Sequence, residues 1–257
     1  MQLPLPVTLP TDETFDSFIY GDNGAVVNLL ISLSEQGAQW RNATALSALS
    51  KSRLPGVAIT GGAGRGKSHL LYAFCHQLAN KNIRHIYLNM ENIPAWSPAI
   101  LDGLECLPFI CLDNIHVIAG HREWEEAVFH FINRIVDNQG AMLLWTSQFG
   151  AHHPAFLLPD LRSRLSWGMT FQLHPLDENA KTQVLKNRAA QRGLKFSEQA
   201  IQFLLHHSDR DLPALLSLLD RLDTRSLQEQ KKLSVGMVKR ELGFDVPKTA
   251  GVDEPKS

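Results

Sequence analysis

A chain of 257 residues, 44% hydrophobic and 20% charged, has the apolar content to bury one substantial core or two modest ones. Its formal net charge of −1 excludes an overall basic field that would hold nucleic acid against salt. No apolar run approaches the roughly 18 residues of a membrane helix, and the first ten residues lack the basic start and long apolar stretch of a signal peptide, so a cytoplasmic protein is expected.

The chain opens MQLPLPVTLP. Prolines hold such a segment extended, so little entropy is lost when it docks; Gln2 offers an amide, and Leu3, Leu5 and Val7 offer apolar anchors. A tail with no partner is the alternative. Next come TFDSFIYGDNGAVVNLL and then a series of short apolar, β-rich runs: GVAIT at 56–60, RHIYLN at 84–89, LPFICLDN at 107–114, AMLLWTS at 141–147 and WGMTFQL at 167–173. Runs apolar on both faces, separated by helical crossovers, predict an α/β domain with a parallel sheet covered by helices.

Between the first run and the amphipathic HLLYAFCHQLAN lies GGAGRGKS, residues 61–68, which satisfies G-x-x-x-x-G-K-[ST] with Gly61, Gly66, Lys67 and Ser68. Its strand-before, helix-after context is the one that a phosphate-binding loop requires. Glycines let the backbone wrap a phosphate, the helix N-terminus faces the anion, Lys67 adds charge, and the Ser68 hydroxyl suits Mg²⁺. The segment Gly61, Gly62, Ala63, Gly64, Arg65, Gly66, Lys67, Ser68 and His69 is therefore the expected nucleotide cradle. At the end of FICLD, Asp113 is either a turn residue or a water-mediated Mg²⁺ ligand, and the upstream loop favours the second. Asn114 follows where a catalytic carboxylate would stand; an amide accepts no proton at neutral pH, so the site is expected to bind nucleotide better than it hydrolyses it, unless another segment supplies a base.

After His174-Pro175-Leu176 the pattern turns helical throughout, with Asp177 and Ser197 as expected N-caps and Gly193 as a stop. The boundaries read 1–10 for the extended peptide, 11–175 for the nucleotide-binding α/β domain, 176–244 for a small all-helical domain and 245–257 for a polar tail. The three cysteines, Cys75, Cys106 and Cys111, lack CxxC spacing and read as buried thiols in a reducing compartment. His152-His153 and His206-His207 have no third ligand at metal-binding spacing, and the 5 tryptophans, without basic interleaving, read as core or interface residues.

The succession of phosphate loop, LDN strand end, LLWTS strand, LPDLRSRLSWG and helical lid resembles the AAA+ superfamily, and within it the DnaA branch, to which TFDSFIYGDNGAVVNLL is also similar. The resemblance covers residues 1 to about 244. It implies that Arg164 is an arginine finger reaching a neighbour's γ-phosphate, with Arg162 close by, and that Arg210 is the sensor 2 arginine on the chain's own nucleotide. Two solvated surface arginines near a strand start are the alternative for Arg164 and Arg162, and an ordinary charge beside a helix N-terminus is the alternative for Arg210. It also implies that Thr146 or Ser147 is the polar sensor 1 residue, and that Ile19, Tyr20 and Asn23 face the adenine; ending a strand, and clipping the segment to the sheet, are the respective alternatives.

QLPLP, with Gln2, Leu3, Pro4, Leu5 and Pro6, resembles the glutamine-leucine peptides that bind the sliding clamp, the beta subunit of DNA polymerase III. No basic recognition helix follows ELGF, so a regulator of replication initiation is expected rather than an initiator. The implied cofactor is ADP or ATP with Mg²⁺, and the implied partners are DnaA and the clamp, with no sequence-specific DNA contact and with self-association open. Bound through ADP, docked on the DNA-loaded clamp, the protein would stimulate hydrolysis of DnaA-bound ATP. An autonomous P-loop ATPase such as a helicase loader on single-stranded DNA, or a scaffold with a vestigial nucleotide, are the alternatives, and steep salt dependence and unaided turnover would mark the former.

Overall fold

The computed structural model describes residues 9–194, 197–207, 211–229 and 234–244. The chain divides into two compact units, Met1–Asp177 and Glu178–Ser257.

In the first unit, β1 (Gly56–Thr60), β2 (His85–Asn89), β3 (Phe109–Asp113), β4 (Met142–Ser147) and β5 (Met169–Gln172) form one parallel sheet in the order β2-β3-β4-β1-β5. Strands β1, β3 and β4 are buried along their whole length, which is why their sequences run apolar without alternation. Edge strand β5 departs from that expectation: Thr170 and Gln172 are exposed while Met169 and Phe171 are half-buried, since an edge is covered on one side only.

The helices of this unit are α1 (Gly24–Gln36), the single turn α2 (Ser47–Ser50), α3 (Lys67–Asn80), α4 (Arg122–Asn138) and α5 (Pro159–Leu165). Successive side chains of a strand face opposite ways, so the sheet supplies two cores. Val57, Ile59, Cys111 and Leu144 pack with Leu30, Leu33, Phe74 and Leu78 from α1 and α3. Ala58, Ile110, Leu143 and Trp145 pack with Val128, Phe131, Ile135, Leu161 and Leu165 from α4 and α5. At the entry to β5, an added Cβ on Gly168 would lie 2.7 Å from the Gly56 carbonyl oxygen, so only glycine lets the chain pass the start of β1.

The second unit holds α6 (Glu178–Gln191), α7 (Glu198–His207), α8 (Leu212–Glu229) and α9 (Val235–Glu241). Leu185, Ile201, Leu204, Leu215, Leu219 and Val238 form its core. Ser197 caps α7, accepting the Ala200 N–H at 3.2 Å, and Gly193, with φ of 68°, ends the turn after α6. Glu241 joins α9 to α8 through Arg221 at 2.9 Å and Arg225 at 2.8 Å.

Cys75 and Cys111 are buried with sulfurs 3.8 Å apart, but Cys106 is exposed. The expectation of three buried thiols fails there because Cys106 closes a short 3-10 turn, Leu104–Cys106, in the surface connection leading to β3. Among the described residues, no group of His, Cys, Asp and Glu is placed to hold a metal ion, and no helix is long and apolar enough to cross a membrane. His153 stacks instead on Phe149, and His207 on Phe203.

Candidate nucleotide site

The sheet order brings the C-terminal ends of β3, β4 and β1 side by side, the edge of a parallel sheet where ligands bind. The loop from β1 to α3 leaves that edge at Gly61, whose N–H donates to the Ser147 carbonyl of β4 at 3.1 Å. Gly66, at φ 88°, turns the chain into α3, and a Cβ there would lie 2.7 Å from the Phe18 ring. The first amides of α3 lack preceding helical carbonyls and point toward the loop, an arrangement suited to an anion.

Lys67, buried at 6% exposure, donates from Nζ to the carbonyls of Gly61 and Gly62, both at 2.8 Å. Burial pushes its pKa down, Asp113 pushes it up, and Arg65 pushes it down again. The ammonium thus straps the loop closed and would exchange those carbonyls for phosphate oxygens. Ser68 is half-buried at the second position of the helix, while Gly62, Ala63 and Gly64 are exposed. His69 turns away from the cradle: its Nε2 meets the Thr14 carbonyl at 2.8 Å and Ser17 Oγ at 3.2 Å, and its ring stands edge-on to Phe18. One turn pair further on, His76 Nε2 meets the Pro10 carbonyl at 2.8 Å, so α3 pins the segment before α1 at two heights.

Asp113, fully buried, ends β3 beside this loop. Its Oδ1 accepts the Thr146 hydroxyl and the Asn114 N–H at 3.1 Å, and its Oδ2 accepts the Tyr87 hydroxyl at 2.7 Å. Of the two sensor 1 candidates, Thr146 therefore faces the carboxylate, whereas Ser147 Oγ accepts the Phe149 N–H at 3.2 Å and shapes the turn after β4. Asn114 is left-handed at φ 58°, and its Nδ2 donates to Asn89 Oδ1 at 3.2 Å. Asn89 in turn donates to Glu91 Oε2 at 3.2 Å. Asn114 and Asn89 thus form an amide chain from the end of β3 to the Glu91 carboxylate. His116, half-buried nearby with Nδ1 lacking a partner, has its pKa lowered first by burial and then by Lys67, against the opposing pull of Glu91 and Asp113.

Of the adenine candidates, Tyr20 is 38% exposed and Ile19 half-buried. Asn23 is buried and clips its segment to the chain after β5, accepting the His174 N–H at 2.7 Å and donating to the His174 carbonyl at 3.3 Å. Arg164, in the last turn of α5, donates from Nε to Asn133 Oδ1 on α4 at 2.7 Å and lies with its guanidinium carbon 4.1 Å from the Trp167 ring centre. Arg162, on the same helix, makes no ion pair among the described residues. Gln2, Leu3, Pro4, Leu5, Pro6 and Arg210 lie outside the described residues.

Tyr87, Asn89, His116, Asn133 and Trp167 escape a reading of motifs. Tyr87 and Asn89 do alternate along β2, which puts both on the face that carries Asp113, but only the β2–β3 register, Asn89 opposite Asp113, makes that visible.

Residues 177–242 match the family described as "Hda, lid domain". The fold is similar to domain III of the Thermotoga maritima replication initiation protein DnaA, with a TM-score of 0.75 at 17% identity over 94% of this chain and 100% of that one. It is also similar to AMPPCP-bound DnaA from Aquifex aeolicus, with a TM-score of 0.66 at 17% identity over 93% of this chain and 71% of the other. The Thermotoga maritima RuvB branch migration motor matches at 0.64 and 18% identity over 90% and 72% of the respective chains.

Proposed function

We propose that this chain, whose residues 177–242 match the Hda lid family and whose fold is similar to that of DnaA domain III, is a negative regulator of replication initiation that holds ADP in its own P-loop and presents Arg164 to the ATP of a neighbouring DnaA. Its own residues divide the work. The loop 61–68 and Lys67 would hold the phosphates, Ser68 and Asp113 would hold Mg²⁺, and Ile19 and Tyr20 would wall the base. When bound with the nucleotide, Mg²⁺ would supply charge neutralisation there. Asn114 accepts no proton from water, so intrinsic turnover is slow. Gln2 to Pro6 dock on the sliding clamp, which sets the protein beside DnaA on DNA and raises its effective concentration there.

The observation that carries this reading is the state of Arg164. Among the described residues neutral groups alone hold it: one amide oxygen and the faces of Trp167 and Phe129. A surface arginine ordinarily pairs with a carboxylate or waves in solvent. Here the guanidinium is oriented while its charge stays uncompensated, the condition under which it neutralises charge on a transferring phosphoryl group.

The test is ATP hydrolysis by purified DnaA with clamp loaded on DNA, with and without this protein, as wild type and as Arg164→Ala. Acceleration by wild type alone supports the reading. Hydrolysis unchanged by either protein overturns it and leaves the autonomous ATPase or the scaffold.

A further inference from the structure

Asp113 ends β3, and the donors that reach its carboxylate, from Tyr87, Asn114 and Thr146, are neutral. A carboxylate offers about four acceptor directions. On Asp113 the Thr146 hydroxyl takes one direction of Oδ1, the Asn114 N–H is shared between Oδ1 at 3.1 Å and Thr146 Oγ1 at 2.8 Å, and the Tyr87 hydroxyl takes one direction of Oδ2 at 2.7 Å. Lys67 makes its hydrogen bonds elsewhere, to Gly61 and Gly62. The carboxylate charge is thus dispersed over its hydrogen-bond donors before any cation arrives.

Tyr87 is itself firmly placed. It is buried at 7% exposure on β2, opposite Cys111 of β3, and its ring packs against Tyr72 of α3 with centres 5.1 Å apart. The Tyr72 oxygen lies 3.2 Å from that of Tyr87. A phenol has one proton, so with that of Tyr87 given to Asp113, Tyr72 supplies the second.

We propose that Tyr87 is a positioning residue that fixes the Asp113 carboxylate and weakens its hold on the hydrated cation of a bound nucleotide, so that nucleotide binding here depends little on Mg²⁺. A hydrogen bond to a charged group is strong because it stabilises that charge, and what it stabilises it also makes less available to a second partner. A protein meant to retain nucleotide rather than turn it over loses nothing by this arrangement. The inference rests on the reading that the P-loop binds nucleotide.

The experiment compares binding of a fluorescent ADP analogue by the full chain in Mg²⁺ and in EDTA, the ratio of the two affinities being the readout. A residue that only supports the fold changes both affinities together and leaves the ratio alone. Tyr87→Phe keeps the ring and removes the donor, and it is expected to raise the Mg²⁺ effect about three- to tenfold over wild type. Tyr72→Phe, one bond further out, is expected to stay within about twofold. Should Tyr87→Phe not fold, by circular dichroism, Thr146→Val carries the test, since it too removes a donor from Asp113 and is expected to raise the ratio. A ratio unchanged or lowered in the folded variant sinks the inference while wild-type binding leaves the P-loop reading standing. Wild type that binds no nucleotide in either condition sinks both.

Discussion

Leu158 donates its backbone N–H to Oε2 of Glu125 at 2.6 Å, tying the turn before α5 to the first turn of α4. Glu125 is fully buried, and its Oε1 also accepts the N–H groups of Gly120 at 2.8 Å and Leu157 at 2.9 Å. One carboxylate therefore satisfies three backbone donors and sets where α5, with Arg164, begins. Glu125→Ala would orphan all three donors at about 1–3 kcal/mol each when buried, so a loss of about 3 kcal/mol or more is expected in urea unfolding. Glu125→Gln should cost less, about 1–2 kcal/mol, because its amide oxygen still accepts while its NH₂ opposes one N–H.

Gly66→Ala meets two penalties at once: a left-handed φ of 88°, and a Cβ 2.7 Å from the Phe18 ring. The expected destabilisation is about 2–4 kcal/mol, with loss of nucleotide binding measured by titration of a fluorescent analogue. Adding Phe18→Leu relieves the contact but not the backbone, so the two substitutions should combine less than additively in a double-mutant cycle.

Arg164→Ala should abolish stimulation of the partner's ATP hydrolysis, an effect on the order of 10³-fold for a finger, while the thermal midpoint of the protein stays near wild type. Arg164→Lys should not restore it. Lysine has neither the Nε–H that meets Asn133 nor the plane that lies on Trp167, so the charge would return without its orientation.

Stability should fall in mild acid partly through His116. Its pKa is lowered in the fold, chiefly by burial, from the ordinary 6.5. The unfolded chain then binds the proton first. The stability present above pH ~6.5 is lost as pH falls through the folded value. His116→Leu should flatten that part of the profile, read as the difference between urea midpoints at about pH 7.5 and 5.5. A variant with the wild-type acid slope would count against the assignment.

The α/β class, the five strands and the phosphate loop were legible because each is a local pattern. A central parallel strand must be apolar on both faces, and a loop that wraps phosphate needs glycines next to a helix start. Asp113 was legible for a related reason, since it ends an otherwise apolar run just where the strand leaves the core. The exposed side of β5 and the exposure of Cys106 were not, because composition does not say which strand stands at an edge or which turn reaches the surface.

What the sequence by itself determined, then, was which side chains each segment offers: the glycines and lysine of 61–68, the acid of 113, the arginines of 162–164. Which partners those groups meet was decided only in three dimensions. Tyr87, Thr146 and Asn114 converge on Asp113 from β2, β4 and the turn after β3, and Asn133 and Trp167 hold Arg164 from elements 31 and 3 residues away. Sheet order and register bring these groups together. A hydrogen bond depends on ångström distances between side chains, and the separation of its partners along the chain leaves those distances free until strands pair and helices pack.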